Sequence, residues 1–322
     1  DRRKLAKERK LPAERAMPTP ASNYSNARWR WKPRPTAPRI DFDGPPQRQD
    51  EEMSGLTVRY DSRSDRGYAD LGAGLSGMRL LWMFALRDIR ARYRRSTLGP
   101  FWITVSMMAT VLGMSFVFST LLDRGYADYI AYLAIGLPLW AMYAAMVGEG
   151  STALINSSAD TKLSTLPLSG YIFRHHLRQL IFFAHNILPG LVIAIFLGKV
   201  TPLGFLLFLC GLALAFVSVG WLGFLAALVS ARFRDVPQIA VNVMQVFFFL
   251  TPIIWPVDAL HHNTIIIDLN PFYYFVAIVR EPLLGTFPPL HVWLVTAAIG
   301  IVGWLLTVLV YERLFDRLTK WL

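Results

Sequence analysis

The chain has 322 residues, of which 54% are hydrophobic and only 17% charged, against roughly 25% charged in a soluble domain. That balance argues against a soluble protein with a large core and reads as a polytopic membrane protein. The net charge of +11 is unevenly placed: residues 1–97 hold 22 Lys/Arg against 12 Asp/Glu, and the remaining 225 hold 11 against 10. A basic, water-exposed arm is joined to a nearly neutral apolar body.

Residues 1–77 read as a poorly ordered arm. "PASNYSNARWRWKPRPTAPRIDFDGPPQRQDEE" is dense in proline and charge, has no period and carries too little aliphatic content to bury. The piece Arg28 to Pro35 is taken as part of a solvated tail, with contact to anionic lipid or nucleic acid as its alternative. No apolar core precedes a cleavage site, so the first apolar span is expected to direct insertion.

From Ser76 a helical period begins. Trp82, Leu86, Ile89 and Tyr93 share one face, while Arg87, Arg90 and Arg94 fall on the other, flanked by Arg92 and Arg95. Such a helix lies in the membrane interface plane with its arginines toward phosphates or water. Gly99-Pro100 ends it, because proline removes a donor and disfavours helix at the preceding residue. Ser96 or Thr97 can cap the helix that follows.

Six apolar spans follow, at about 100–122, 129–149, 178–198, 203–230, 237–255 and 290–311, each near the 20 or so residues a bilayer core needs. Lys and Arg in short loops set the orientation. One side collects Arg87 to Arg95, Lys162, Arg174, Arg178, Arg232, Arg234, Arg313, Arg317 and Lys320; the other has only Arg124, Lys199 and Arg280. Both termini are therefore expected in the cytoplasm. Between spans five and six, prolines at 252, 256, 271 and 282 cut an apolar stretch too greasy for an exposed loop. Asn270-Pro271 starts a short helix there, read as re-entrant. The expected fold class is all-α integral membrane: six transmembrane helices, an N-terminal amphipathic interface helix, and short re-entrant helices before the last span.

Chemistry is sparse. The sole Gly-Lys pair, Gly198-Lys199, has Ile193 five residues before the glycine and Val200 after the lysine, so no phosphate-binding loop of the G-x-x-x-x-G-K-[ST] type is present. Lone Cys210 leaves no disulfide within the chain and no cysteine zinc site. His261-His262 has Asp258 and Asp268 nearby but no helical ligand spacing, so no metal is expected. No catalytic carboxylate pair is seen; Glu149 closes span two, where a salt bridge or a partner contact suits it. His185, Asn186, Asn242 and Gln245 read as interhelical hydrogen-bonding groups, with a polar conduit as alternative. Aromatics are abundant: Trp140 and Tyr143 in span two, Phe247, Phe248 and Phe249 in span five, Trp255 and Phe272 to Phe275 beyond it. An interfacial belt accounts for many; a conduit lined for sugar faces is the alternative.

Three stretches in order, "RDIRARYRRSTLGPFW", "SARFRDVPQIAVNVMQVFFFLTPIIWP" and "LNPFYYFVAIVREPLLG", resemble the membrane subunits of type-2 ABC exporters of lipid-linked polysaccharides, O-antigen exporters above all. The resemblance covers about 78–322 and leaves 1–77 unexplained. It implies a permease domain over 78–322, working as a homodimer in the bacterial inner membrane with two copies of a separate ATPase. ATP and Mg would bind that partner, no cofactor would bind this chain, and the chain itself would be no enzyme. The loop near 151–172 would carry a coupling helix. Lys162, Glu149 and Arg234 are the candidate ATPase contacts. Arg87, Arg90 and Arg94 are the candidates to meet the carrier's phosphates. Trp140, Tyr143, Phe247, Phe248, Trp255, Tyr273 and Tyr274 are the candidate channel aromatics. Membrane lipids are expected partners and nucleic acid is not. A capsular or teichoic-acid-like polymer is the alternative cargo. A polytopic enzyme acting on lipid-linked sugars is a distant alternative, because the outer loops are short and their acids scattered.

Overall fold

A computed structural model describes residues 66–94, 99, 101–157, 166–259 and 265–322, and all of these belong to one compact unit, Met53–Leu322. Every regular element among the described residues is helical. In chain order they are α1 (Arg66–Ser76), α2 (Met78–Arg92), α3 (Phe101–Leu121), α4 (Tyr126–Val147), α5 (Ala153–Asn156), α6 (Leu168–Asn186), α7 (Leu188–Phe196), α8 (Pro202–Arg232), α9 (Val236–Leu250), α10 (Ile265–Asp268), α11 (Pro271–Leu283) and α12 (Leu290–Trp321).

Five stretches are long and apolar enough to cross a bilayer: Phe101–Leu121, Tyr126–Asn156, Leu168–Phe196, Pro202–Arg232 and Leu290–Leu318. The expected fifth crossing is shorter. α9 has 15 residues, about 22 Å of helix against a hydrocarbon core of about 30 Å. It stops because Pro252 pushes Thr251 out of helical geometry, to φ −89 and ψ 138. The third crossing begins ten residues before the expected 178, since α6 starts at Leu168. Arg174, His175, His176 and Arg178 hide that helical extension from a hydropathy reading.

α4 is the centre of the bundle. In its apolar window 72% of residues are buried, whereas the window of α3 is 11% buried, so α3 sits at the periphery. α8 packs between α11 and α12 through small residues. Ser218 Oγ donates to the Thr296 carbonyl at 3.1 Å. A Cβ on Gly211 would run into the Ile278 carbonyl of α11, and one on Gly204 would meet the Pro282 carbonyl. Gly211→Ala is therefore expected to cost about 1–3 kcal/mol by overpacking, read as a lowered melting temperature of the purified protein in detergent.

Those contacts also fix how α11 runs. Its end, Pro282, lies against the first turn of α8, whereas Phe275 accepts a hydrogen bond from Tyr143 Oη (2.9 Å), well along α4. The helix therefore starts deep and returns toward the end at which α8 begins, the geometry expected of a re-entrant segment. Asn270 caps it, accepting from the Phe272 N–H at 3.0 Å.

At the basic end, α2 lies on α6 and buries Leu81, Ala85 and Ile89. Of the apolar face expected from the sequence only Ile89 is buried; Trp82 is 41% exposed. The reason is the neighbour: a narrow line of small and branched residues every fourth position fits against α6, and the bulkier Trp82 is left outside. Arg87, Arg90 and Arg94 are exposed. α1 lies on the arm side of the expected boundary at 77/78, and its Asp70 is 1% exposed. Residues 1–65 lie outside the described region, as do Arg95, Ser96, Thr97 and Pro100.

Candidate functional site

Two constructions stand out, one at each end of the bundle. At the basic end, four segments that are distant in sequence enclose a cavity of about 530 Å³, lined among others by Asp88 and Arg92 of α2, Glu149 after α4, Arg174, His175 and Arg178 of α6, and Pro237 and Gln238 of α9. Arg174 reaches Asp88 with two donors, Nε at 2.7 Å and a second, closer guanidinium nitrogen. Arg178 lies 4.0 Å from the same carboxylate and contacts His175 Nδ1 at 2.8 Å. His175 Nε2 lies 3.1 Å from the Ala145 carbonyl, and Gln179 Nε2 donates to Glu149 at 3.2 Å. Arg92 lies over the Phe182 ring, 5.8 Å from its centroid. Among the described residues no carboxylate is within ion-pair distance of Arg92.

At the opposite end, the break after α9 leaves backbone carbonyls without helical partners, and at membrane depth each needs a donor. Tyr132 Oη donates to Pro252 (2.8 Å) or Trp255 (2.9 Å), and Tyr129 Oη to Ile254. Arg280 of α11, 3% exposed, donates to Pro252 at 2.7 Å while its guanidinium lies 4.0 Å from the centroid of the Tyr132 ring. Ion pairs of Arg124 with Asp258 and of Lys199 with Asp128 (2.8 Å) tie the surrounding turns. Sequence reading placed Arg280 on this side as one loop charge; the burial that makes it a clamp becomes visible only when α4, α9 and α11 meet.

The candidate channel aromatics divide by burial. Tyr143 is fully buried and held by the Phe275 carbonyl, and Trp140, 6% exposed, stacks edge-on with Phe272 at 5.3 Å. Both pack α4 against α11 within one copy of the chain. Phe247, Phe248, Trp255, Tyr273 and Tyr274 are partly exposed; the Phe247 ring is 5.0 Å from Phe272, and Trp255 Nε1 donates to the Phe249 carbonyl at 3.0 Å. Of the candidate ATPase contacts, Glu149 is exposed at the cavity rim and Arg234 donates to the Trp321 carbonyl at 3.4 Å. Lys162 and most of the expected coupling helix lie outside the described residues; what precedes them is a 3₁₀ turn, Gly150–Thr152, and α5. Asn186 accepts from Thr104 Oγ1 at 3.2 Å, an interhelical bond of the kind expected, and Asn242 pairs within its own helix with Gln238 at 3.1 Å. His261 and His262 also lie outside the described residues.

A bundle of apolar crossings with a charged cavity at one end and a re-entrant helix at the other is the architecture of a membrane transport domain. Residues 79–284 match the ABC-2 type transporter family, and the chain belongs to it. Two curated relatives carry the name O-antigen export system permease protein RfbA. That of Myxococcus xanthus is 25% identical over 201 residues, 60% of this chain and 75% of the relative. That of Klebsiella pneumoniae is 22% identical over 205 residues, again 60% and 75%. Membership makes the chain a transport subunit whose use of ATP passes through a partner ATPase.

Proposed function

We propose that this chain is the membrane-spanning permease of an ATP-driven exporter that carries a lipid-linked polysaccharide of the O-antigen kind from the cytoplasm across the bacterial inner membrane. The observation that carries the reading is the family match over 79–284 together with two relatives named for O-antigen export. Two copies of the chain pair, and two copies of a separate ATPase dock on them. Support for pairing comes from α3, whose exposed side includes Phe101 (63%) and Phe116 (73%), and from the exposed apolar side of α9. Support for cytoplasmic termini is the arginine-rich end that α2, α6 and the last turns of α12 share.

In this reading the exposed rings of Phe248, Trp255, Tyr273 and Tyr274 offer flat, weakly directional surfaces to sliding sugars. Trp140, Tyr143 and Phe247 hold α4, α9 and α11 in the positions that shape that path. Arg87, Arg90 and Arg94 face water or headgroups at the inner surface and attract the carrier's phosphates. Replacing Arg90 and Arg94 together with Gln is expected to reduce export several-fold while assembly with the ATPase persists. Export and co-purification are measured side by side, and unchanged export refutes this role for the two arginines.

The function itself is tested by deleting the chain in its own cell. Surface polysaccharide should disappear while lipid-linked glycan accumulates on the cytoplasmic face. Persistent surface polysaccharide with no accumulation rejects the reading.

A further inference from the structure

The cavity at the basic end holds more positive charge than its own acids neutralise. Three arginines, Arg92, Arg174 and Arg178, face two carboxylates, Asp88 and Glu149. Asp88 is already engaged by Arg174 and Arg178, and Glu149 accepts from Gln179. Arg178 Nε is buried without a hydrogen-bond partner, and Arg92 has only the Phe182 ring. An orphaned guanidinium donor in a walled polar space costs free energy unless something fills it. The first turn of α9, at Pro237 and Gln238, adds the positive end of a 15-residue helix to the same wall.

We propose that this cavity is a binding site for a phosphate or diphosphate ester, held by Arg92 and Arg178 while the Asp88–Arg174 pair keeps the two helices in register. Guanidinium groups match phosphate oxygens with paired donors, which a carboxylate-saturated pocket cannot offer. The space, about 530 Å³, accommodates a headgroup rather than a lone ion. Its rim carries Val241, 48% exposed, which continues into the exposed apolar side of α9 through Ile239 (56%) and Val246 (58%). A hydrocarbon tail therefore has an apolar course out of the cavity, so the source favoured by the surroundings is the headgroup of a lipid. The site differs from the exposed row Arg87, Arg90 and Arg94. It rests on the export reading only in identifying that lipid with the cargo's carrier.

The test uses the full chain in phosphatidylcholine nanodiscs, without any ATPase, so that its failure is separate from failure of the export reading. Binding of a labelled polyprenyl diphosphate is measured, with inorganic pyrophosphate and unlabelled polyprenyl diphosphate as competitors. Wild type is expected to bind. Arg92→Gln and Arg178→Gln should each weaken binding at least about tenfold, and Arg313→Gln, on the far turn of α12, should leave it unchanged. Displacement by pyrophosphate at concentrations like those of the lipid shows a phosphate site that needs no tail; displacement by the lipid alone assigns the site to a lipid headgroup. Absent binding of both probes, or Gln variants that bind as wild type does, overturns the proposal. Arg92 is exposed, so Arg92→Gln keeps the test decisive if Arg178→Gln fails to fold.

Discussion

Replacing Arg280 with methionine should lower the stability of the protein by about 2–4 kcal/mol and abolish export. The guanidinium supplies a charge-assisted hydrogen bond to the Pro252 carbonyl and lies against the face of Tyr132. Hydrogen bonds to charged groups contribute about 1.5–3 kcal/mol, and a desolvated cation over an aromatic ring about 2. Relief of the desolvation cost of a buried cation offsets part of that sum, which gives the stated net. The loss falls at the break after α9, where the Pro252 carbonyl keeps only Tyr132 as a side-chain donor. Arg280→Lys should rescue little, because an ammonium has neither the planar face nor the fork of donors. Thermal unfolding of the purified variants, with export measured in cells, checks both halves. An Arg280→Met protein that melts and exports like wild type contradicts the clamp.

Asp70→Ala is expected to be the most damaging change near the N-terminal end of the described fold, at about 3–5 kcal/mol. α6 begins with Pro167 in the cap position, which has no side-chain acceptor. Asp70 supplies the missing cap from another helix: its carboxylate accepts the Leu168 N–H at 2.7 Å, the Ser169 N–H at 2.9 Å and the Tyr311 hydroxyl at 2.7 Å. One side chain thus ties α1 to the start of α6 and to α12, with negative charge at the positive end of the α6 dipole. Alanine leaves three buried donors unsatisfied, each at about 1–3 kcal/mol less what water recovers. Asp70→Asn keeps an acceptor oxygen and should fall between the two. Limited proteolysis reads the effect locally: α1 should become cleavable in Asp70→Ala while the apolar crossings stay protected.

What could be read from residues alone follows from how local each feature is. The crossings were legible because a run of twenty apolar residues admits few alternatives to a buried or membrane helix. Pro271 after Asn270 announced α11, and a side chain that caps its own helix is a local event. α1 was not legible. "RGYADLGAGLS" is rich in glycine and small residues, and its helix is stabilised by α6 and α12, which lie about a hundred and about 240 residues away. Arg174, His175 and Arg178 lowered the hydropathy of the segment that became the first turns of α6, so the third crossing was read ten residues short. The ending of α9 was written in Thr251-Pro252, yet hydropathy carried the expected span on to 255.

The site was less legible than the fold. Arg87, Arg90 and Arg94 were chosen because they share a helical face, and they do form the exposed side of α2. The arginines that converge on the cavity come from α2 and α6, and Arg92 had been read as a flank of the exposed row. No spacing rule joins Arg92 to Arg178 across 86 residues; packing of Leu81, Ala85 and Ile89 on α6 does so. Tyr143 shows the opposite limit. Its type suggested a sugar-facing ring, but a fully buried hydroxyl bonded to the Phe275 carbonyl supports the re-entrant helix instead.

The central claim is that this chain forms the passage and a separate hydrolase drives it. Proteoliposomes containing the chain alone, and the chain with its co-purified ATPase, should be compared for ATP turnover and for movement of lipid-linked glycan across the bilayer. The account predicts neither activity from the chain alone and both from the complex, with transport lost when the ATPase's nucleotide site is disabled. Glycan moved by the chain alone in an ATP-dependent manner, or a complex that hydrolyses ATP without moving glycan, contradicts it.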